Sequence, residues 1–305
     1  METRGVRGAV SLSVCLFVAC LNWGGQCQTA AATWQSAARS AAKLAPEARI
    51  VILDVATGHL LASSHLAEAA RKLATPGSTL KPLVLFGLIS SGRWDPARRI
   101  ACTRKLTIAG HSMNCSHPSA DPMDARAALT WSCNTYFANV ADSLLPGELH
   151  RLLNPTGLLT ATGLASHEAT SIFRDPHTSS EARLALLGVE GVRVTPLELA
   201  TAYRWLALQL AAQPGSATAS VVQAGLADSA SFGAAGAVAY GGVSVAGKTG
   251  TAGLEIGGQS HGWFIGLAPA DAPRTVIAVY LPTGRGTDAA RVAAELLAHS
   301  PMRHP

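Results

Sequence analysis

Ser78 and Lys81 stand three residues apart in the run Pro76-Gly77-Ser78-Thr79-Leu80-Lys81. Residues at that spacing share one face of a helix, so the amine lies one turn along from the hydroxyl. A serine hydroxyl is a weak nucleophile until a base takes its proton, and a desolvated lysine can be that base. The next residues, Pro82-Leu83-Val84-Leu85-Phe86-Gly87-Leu88-Ile89, are almost unbroken in their apolarity. A helix apolar all round belongs in a core, so its first turn carries both groups inside the protein. The chemistry this suits is attack on an acyl carbon. Alone, the pair is a weak signal. A helix start whose serine caps and whose lysine reaches solvent reads identically, and Ser40-Ala41-Ala42-Lys43 repeats the spacing in an Ala-rich segment with nothing around it.

A second hydroxyl and a carboxamide occur at Ser132-Cys133-Asn134. Asp121 before Pro122 signals a helix start upstream, and Phe137, Val140, Ala141 and Leu144 repeat at amphipathic-helix spacing downstream. The motif therefore lies between two helices, a good place for fixed geometry. Ser112-Met113-Asn114 has the same spacing but falls in a polar loop.

A third group is Lys248-Thr249-Gly250-Thr251. Gly242 to Thr249 also satisfies G-x-x-x-x-G-K-T, a phosphate-binding pattern. Such a loop must open a helix whose N-terminus faces phosphate. Gly250, Thr251, Ala252 and Gly253 favour no helix, and no apolar strand ending in Asp follows. A nucleotide-binding protein is thus the remote alternative.

These motifs need elements to hold them. The segment from Thr33 to Leu44 has helical composition, and Arg49–Asp54 and His59–Ala62 read as strands about a turn at Ala56-Thr57-Gly58. Thr195-Pro196-Leu197-Glu198 is a capping box with proline at the first helical position, opening a helix to about Leu210. The Ala/Gly/Ser-biased stretch from Pro214 to Gly242 offers little to read. Val243–Thr251, Gly262–Leu267 and Thr275–Leu281 are strands joined by short turns, hence antiparallel neighbours, and a helix over Asp288–His299 closes the chain. One sheet assembled from both ends of the chain, with a helical insertion over roughly 66–240, is the expected α/β (α+β) architecture.

The 305 residues, 48% hydrophobic, are enough to bury a full core. A net charge of +5 without Lys/Arg blocks suits an acidic polymer or an anionic surface and gives no sign of nucleic-acid binding. Residues 1–32 read as a signal peptide or a membrane or lipid anchor. Arg4 and Arg7 precede an apolar run shorter than a bilayer span, Ala30-Ala31-Ala32 offers a cleavage pattern, and Phe17-Val18-Ala19-Cys20 resembles a lipoprotein processing site. The expected location is the periplasm or the outer face of the cytoplasmic membrane. In that oxidising setting a Cys102–Cys115 disulfide is expected, with Cys133 apart. His111 and His117 are near, but the spacing matches no common zinc pattern, so neither metal nor cofactor is expected.

In order along the chain, Ser78-x-x-Lys81, Ser132-x-Asn134 and Lys248-Thr249-Gly250 form the three-part signature of penicillin-binding proteins and serine β-lactamases. From about Ala48 onward the chain resembles the transpeptidase domain of high-molecular-weight penicillin-binding proteins. Pro76–Pro82, Ser132–Phe137, Thr195–Ala200, Lys248–Thr251 and His261–Phe264 carry the likeness. The resemblance implies a β-lactamase/transpeptidase-like fold over 33–305: five antiparallel strands flanked by the terminal helices, plus an all-helical lobe. It implies a D,D-transpeptidase that acts on D-Ala-D-Ala stem peptides, is acylated by β-lactams and works with other cell-wall synthesis proteins. It also implies roles: Ser78 as nucleophile, Lys81 as base, Ser132 as proton donor, Asn134 as positioner. Lys248, Thr249, Gly250 and Thr251 would hold the substrate carboxylate, and the backbone N–H groups of Ser78 and Thr251 would form the oxyanion hole. The chain departs from the family in size, leaving no room for a glycosyltransferase module or large pedestal. The alternatives are a serine β-lactamase or a D,D-carboxypeptidase. Against the first, Glu168 is followed by Ala169-Thr170-Ser171-Ile172 and not by the E-x-x-x-N of a glutamate-base enzyme.

Overall fold

Strands from the two ends of the chain pair with each other. The structure, a computed structural model, describes residues 33–118, 121–253 and 259–303, so the leader at 1–32 lies outside the described residues. Helix α1 (33–44) precedes β1 (Arg49–Asp54) and β2 (Leu60–Ser64). Next come α2 (Leu66–Arg71), a 3-10 turn at Gly77–Leu80, and α3 (Lys81–Ser90). A two-residue ladder, β3 (Thr107–Ile108) with β4 (His111–Ser112), leads to α4 (Ala125–Trp131) and α5 (Asn134–Asp142). Then follow α6 (Glu148–Leu153), β5 (Ile172–Phe173), α7 (Ser179–Leu186) and β6 (Val192–Arg193). The long helices α8 (Pro196–Ala212) and α9 (Ala217–Ser231) complete the lobe. The remainder is β7 (Ala246–Ala252), β8 (His261–Ala268), β9 (Thr275–Leu281) and α10 (Gly286–Ala298).

The sheet order is β2-β1-β9-β8-β7, all pairs antiparallel. Alternation decides which side each residue serves. Val51, Leu53, Trp263, Ile265, Val276 and Ala278 face the lobe, in one core with α3, α5 and α8. Ile50, Ile52, Phe264, Ile277 and Val279 face the opposite way and pack with Trp34, Ala37 and Ala41 of α1 and Val292, Leu296 and Leu297 of α10. Both faces are thus covered, and the strand at one edge is β7, which carries the lysine motif.

Three local readings need correction. The helix after Pro122 begins at Ala125, because Asp124, not Asp121, accepts the Ala127 N–H at 2.9 Å. Residues 243–245 precede β7 and are not part of it. The unread Ala/Gly/Ser stretch holds α9, capped by Ser216 Oγ accepting from Ala219 N at 3.1 Å. The capping box at Thr195 and Glu198 forms as predicted. Among the described residues no helix is long and apolar enough to cross a membrane.

Candidate active site

Ser78 sits in the 3-10 turn, and the Lys81 backbone N–H closes onto Ser78 O where α3 begins. Ser78 therefore precedes the α-helix proper, where sequence reasoning placed it in the first α-turn. Apolar α3 then buries Lys81 completely. Its ammonium reaches Asn134 Oδ1 at 2.6 Å, Ser132 O at 2.9 Å and Ser132 Oγ at 3.3 Å. Lys248, equally buried on β7, reaches the same Ser132 Oγ at 2.8 Å and Thr249 O at 3.0 Å. Three motifs distant in sequence thus converge on one hydroxyl.

Two buried amines this close cannot both keep a proton cheaply. Burial brings Lys81 from its ordinary 10.5 down to about 8, opposed by the sulfurs of Cys133 and Cys115. Burial, then the Lys81 charge, brings Lys248 well below its ordinary value. Among the described residues, the hydrogen-bond acceptors of both amines are hydroxyl, amide and carbonyl oxygens, with no carboxylate to hold the protons. A neutral amine hydrogen-bonded to Ser132 can take a proton as readily as give one.

Ser132 terminates α4 in the left-handed region, φ 57°, a conformation uncommon for a residue with a side chain. That kink turns its hydroxyl and carbonyl toward the lysines, while Asn134 begins α5. Asn134 donates its amide to Met113 O at 3.0 Å, which orients Oδ1 onto Lys81. Backbone approach sets the other wall. A Cβ on Gly250 would lie 2.4 Å from Pro76 O, and one on Gly77, itself at φ +57°, would lie 3.0 Å from Thr251 N. Glycine at both positions lets the Ser78 turn lie against the edge of β7. Thr249 is buried, its hydroxyl on Ala234 O at 3.2 Å, and Thr251 is exposed, its Oγ1 accepting from Gly286 N at 2.9 Å.

Ser40 and Lys43 lie on α1, where Ser40 Oγ faces Glu295, and Ser112 is exposed on β4. Ser40 and Lys43 lie apart from the site, and the Ser112-Met113-Asn114 segment meets it through backbone carbonyls, Met113 O accepting from Asn134 at 3.0 Å. Glu168 is spent locally: its carboxylate accepts from Ala165 N at 2.8 Å, from Thr162 and from Gly163. Burial raises its proton affinity, but those hydrogen bonds outweigh it and leave the pKa lowered.

The expected Cys102–Cys115 disulfide is absent, and Cys102, Cys115 and Cys133, the cysteines among the described residues, are free thiols. The Cys115 Sγ lies 3.9 Å from the Cys133 Sγ, because the S-x-N junction turns Cys133 inward. His117 joins these three thiols, whereas His111 points to Glu190 at 2.7 Å. The expectation of no metal rested on linear spacing, which does not reveal that the fold brings four donors together. Sequence reasoning also missed Tyr203, buried on α8, whose hydroxyl donates to Thr79 O at 2.9 Å in the Ser78 turn.

The family model for the penicillin-binding protein transpeptidase domain matches residues 48–300. The chain belongs to the penicillin-binding protein transpeptidase family. The probable peptidoglycan D,D-transpeptidase PenA of Neisseria flavescens is 25% identical to it over 286 residues, covering 78% of this chain and 70% of the relative. Among solved structures, the transpeptidase domain of Burkholderia pseudomallei penicillin-binding protein 3 superposes with a TM-score of 0.76 at 22% identity, covering 89% and 93% of the two chains. Pseudomonas aeruginosa PBP2 superposes at 0.74 and 24% identity, covering 88% and 74%. The likeness to these structures is one of fold, and it agrees with the five-stranded antiparallel sheet of this transpeptidase domain.

Proposed function

We propose that this transpeptidase domain cleaves the terminal D-Ala-D-Ala amide of peptidoglycan stem peptides through an acyl-enzyme on Ser78, and passes the acyl group to a second stem-peptide amine. The observation that carries the reading is Ser132 Oγ within hydrogen-bond reach of both Lys81, which ends the Ser78 turn, and Lys248, whose strand lies against that turn. Lys81, as free base, takes the Ser78 proton while Oγ bonds to the carbonyl carbon. The resulting oxyanion lies toward the backbone N–H groups of Ser78 and Thr251, where one such donor is typically worth roughly 3 kcal/mol. The proton passes through Ser132 to the D-alanine amine as the C–N bond breaks. In the second half the acceptor amine attacks the ester, the C–O bond breaks, and Ser78 regains its proton.

The same site is suited to a β-lactam, whose ring amide opens on Ser78 while its amine stays tethered. Because β7 is a sheet edge, its outward backbone groups can pair with an extended peptide, and Lys248, Thr249 and Thr251 supply polar contacts for a terminal carboxylate. Such a substrate, with the apolar leader, supports work outside the cytoplasm, attached by an anchor or lipid or released, beside other cell-wall synthesis proteins.

The test is a fluorescent penicillin with mass mapping of the adduct, followed by product analysis on stem peptide with and without an amine acceptor. Ser78→Ala should abolish labelling and Ser40→Ala leave it intact. Labelling of Ser78→Ala at the wild-type rate would remove the assignment. Hydrolysed product alone, with acceptor present, would make the enzyme a carboxypeptidase.

A further inference from the structure

The four donors beneath the S-x-N junction are not used by the mechanism above. One ligand atom from each of Cys102, Cys115, His117 and Cys133 lies within 4.8 Å of all the others. Cys102, His117 and Cys133 are buried and Cys115 is partly so. We propose that these residues form a structural zinc site, Cys3His, that fixes the catalytic junction from below.

The geometry fits the ion. Zinc takes four thiolate or imidazole donors tetrahedrally, with sulfur at about 2.3 Å, which sets sulfurs about 3.8 Å apart. The Cys115 and Cys133 sulfurs are 3.9 Å apart, close to that tetrahedral edge and far beyond the roughly 2.05 Å of a disulfide. Drawing the wider pairs in from 4.8 Å takes about 1 Å of side-chain movement. Three thiols also cannot all pair with one another, whereas three thiolates and an imidazole complete a closed zinc shell.

The surroundings are those of thiolate sulfur. Backbone N–H groups aim at two of the three: Arg104 N at Cys102 Sγ, 3.3 Å, and Asn134 N at Cys115 Sγ, 3.2 Å. Such N–H donors orient ligand sulfurs and stabilise their charge. Each thiol that binds the cation gives its proton to solvent, so uptake releases protons.

The position gives the site its consequence. Cys133 is the residue between Ser132 and Asn134, and Cys102, Cys115 and His117 belong to the segment that runs through the β3–β4 ladder. A zinc ion would staple that segment to the α4–α5 junction. It would hold Ser132 in its left-handed conformation and Asn134 against Met113 O. The four ligands are positioning residues and touch no substrate. That link to catalysis rests on the acyl-enzyme reading; metal binding itself does not.

The experiment measures metal in the full chain by plasma mass spectrometry, after purification with reductant and equimolar zinc. Equimolar zinc is expected in the wild type, in Ser78→Ala and in His111→Ala, and its loss in His117→Ala and Cys115→Ser. Should those two variants fail to fold, cobalt loaded into the wild-type chain gives an independent readout, a thiolate-to-cobalt charge-transfer absorption. Chelator-treated wild type should label with penicillin at least tenfold more slowly, and zinc should restore the rate. A chain that takes up no zinc or cobalt, retains zinc in both ligand variants, or carries a native Cys115–Cys133 disulfide overturns the site. Full labelling by metal-free chain overturns the positioning role alone. Ser78→Ala that binds zinc but labels normally would refute the acyl-enzyme reading and leave the metal site standing.

Discussion

Ser132 Oγ lies closer to Lys248 Nζ, at 2.8 Å, than to Lys81 Nζ, at 3.3 Å. The β7 lysine is therefore a direct partner of the hydroxyl that the proposed mechanism uses as its relay. Lys248→Ala removes a charge-assisted contact worth about 1.5–3 kcal/mol, and penicillin acylation should slow by roughly one to two orders of magnitude. Stopped-flow labelling measures this, with Lys43→Ala on α1 as the unaffected control. Wild-type kinetics in Lys248→Ala would exclude it from the relay.

Acylation should rise with pH. The proposed mechanism uses Lys81 as free base, and burial lowers its pKa to about 8. The free-base fraction, and with it the rate, should increase roughly tenfold between pH 7 and pH 9 and then level off. The groups facing its ammonium are Lys248 of β7, Ser132 and Asn134 of the junction, and the thiols of Cys133 and Cys115. A rate flat across that window would show that Lys81 is not the titrating base.

Gly250→Ala should leave the fold intact and damage the chemistry. Its new Cβ meets Pro76 O at 2.4 Å and Thr79 Cγ2 at 3.0 Å, so the nucleophile turn must lift from β7. Loss of one oxyanion donor costs roughly 3 kcal/mol of transition-state stabilisation, about a hundredfold in acylation rate. Gly236→Ala, whose Cβ meets nothing nearer than 3.7 Å, is the control. Labelling rates set beside thermal melts separate the two effects.

Tyr203→Phe tests support from α8. The change strands Thr79 O in a fully buried position, which costs about 1–3 kcal/mol. Denaturant unfolding should register that loss, and labelling should slow because the same carbonyl belongs to the Ser78 turn. A stability loss with unchanged labelling would confine Tyr203 to packing.

The penicilloyl adduct should persist. Rapid hydrolysis needs a base for water, and the carboxylate singled out from the sequence, Glu168, is committed to its own loop. Intact mass followed after drug removal should show adduct decay over minutes or longer. Disappearance within seconds, with catalytic consumption of drug, would make the protein a β-lactamase.

The site was legible where chemistry fixes both residue type and spacing. Ser78 with Lys81, and Ser132 with Asn134, are local pairs, and order along the chain joined them to Lys248. The sheet was legible because β1, β8 and β9 are apolar strands with turn residues between them. Helix α9 was not, since it meets α4 at Gly225, where an added Cβ would lie 2.8 Å from Leu129 Cβ, and a close approach through glycine leaves a weak pattern. The cysteine pairing failed for a related reason. Which sulfurs meet depends on the turn at Ser132, and no periodicity encodes a left-handed residue in a side-chain-bearing position.

The pairing of β1 with β9, from Arg49 opposite Tyr280 to Asp54 opposite Thr275, bears on how the molecule is made. The second strand of that pair leaves the ribosome after more than two hundred intervening residues, so β1 must wait without its central neighbour. Non-local closure of this kind is slow compared with local helix formation. The export proposed above gives that delay a use, because an unclosed polypeptide can be threaded through a membrane pore that a finished sheet would block. Fusing a fast-folding domain to the C-terminus should leave that window open, whereas circular permutation that makes β9 and β1 neighbours in sequence should shorten it.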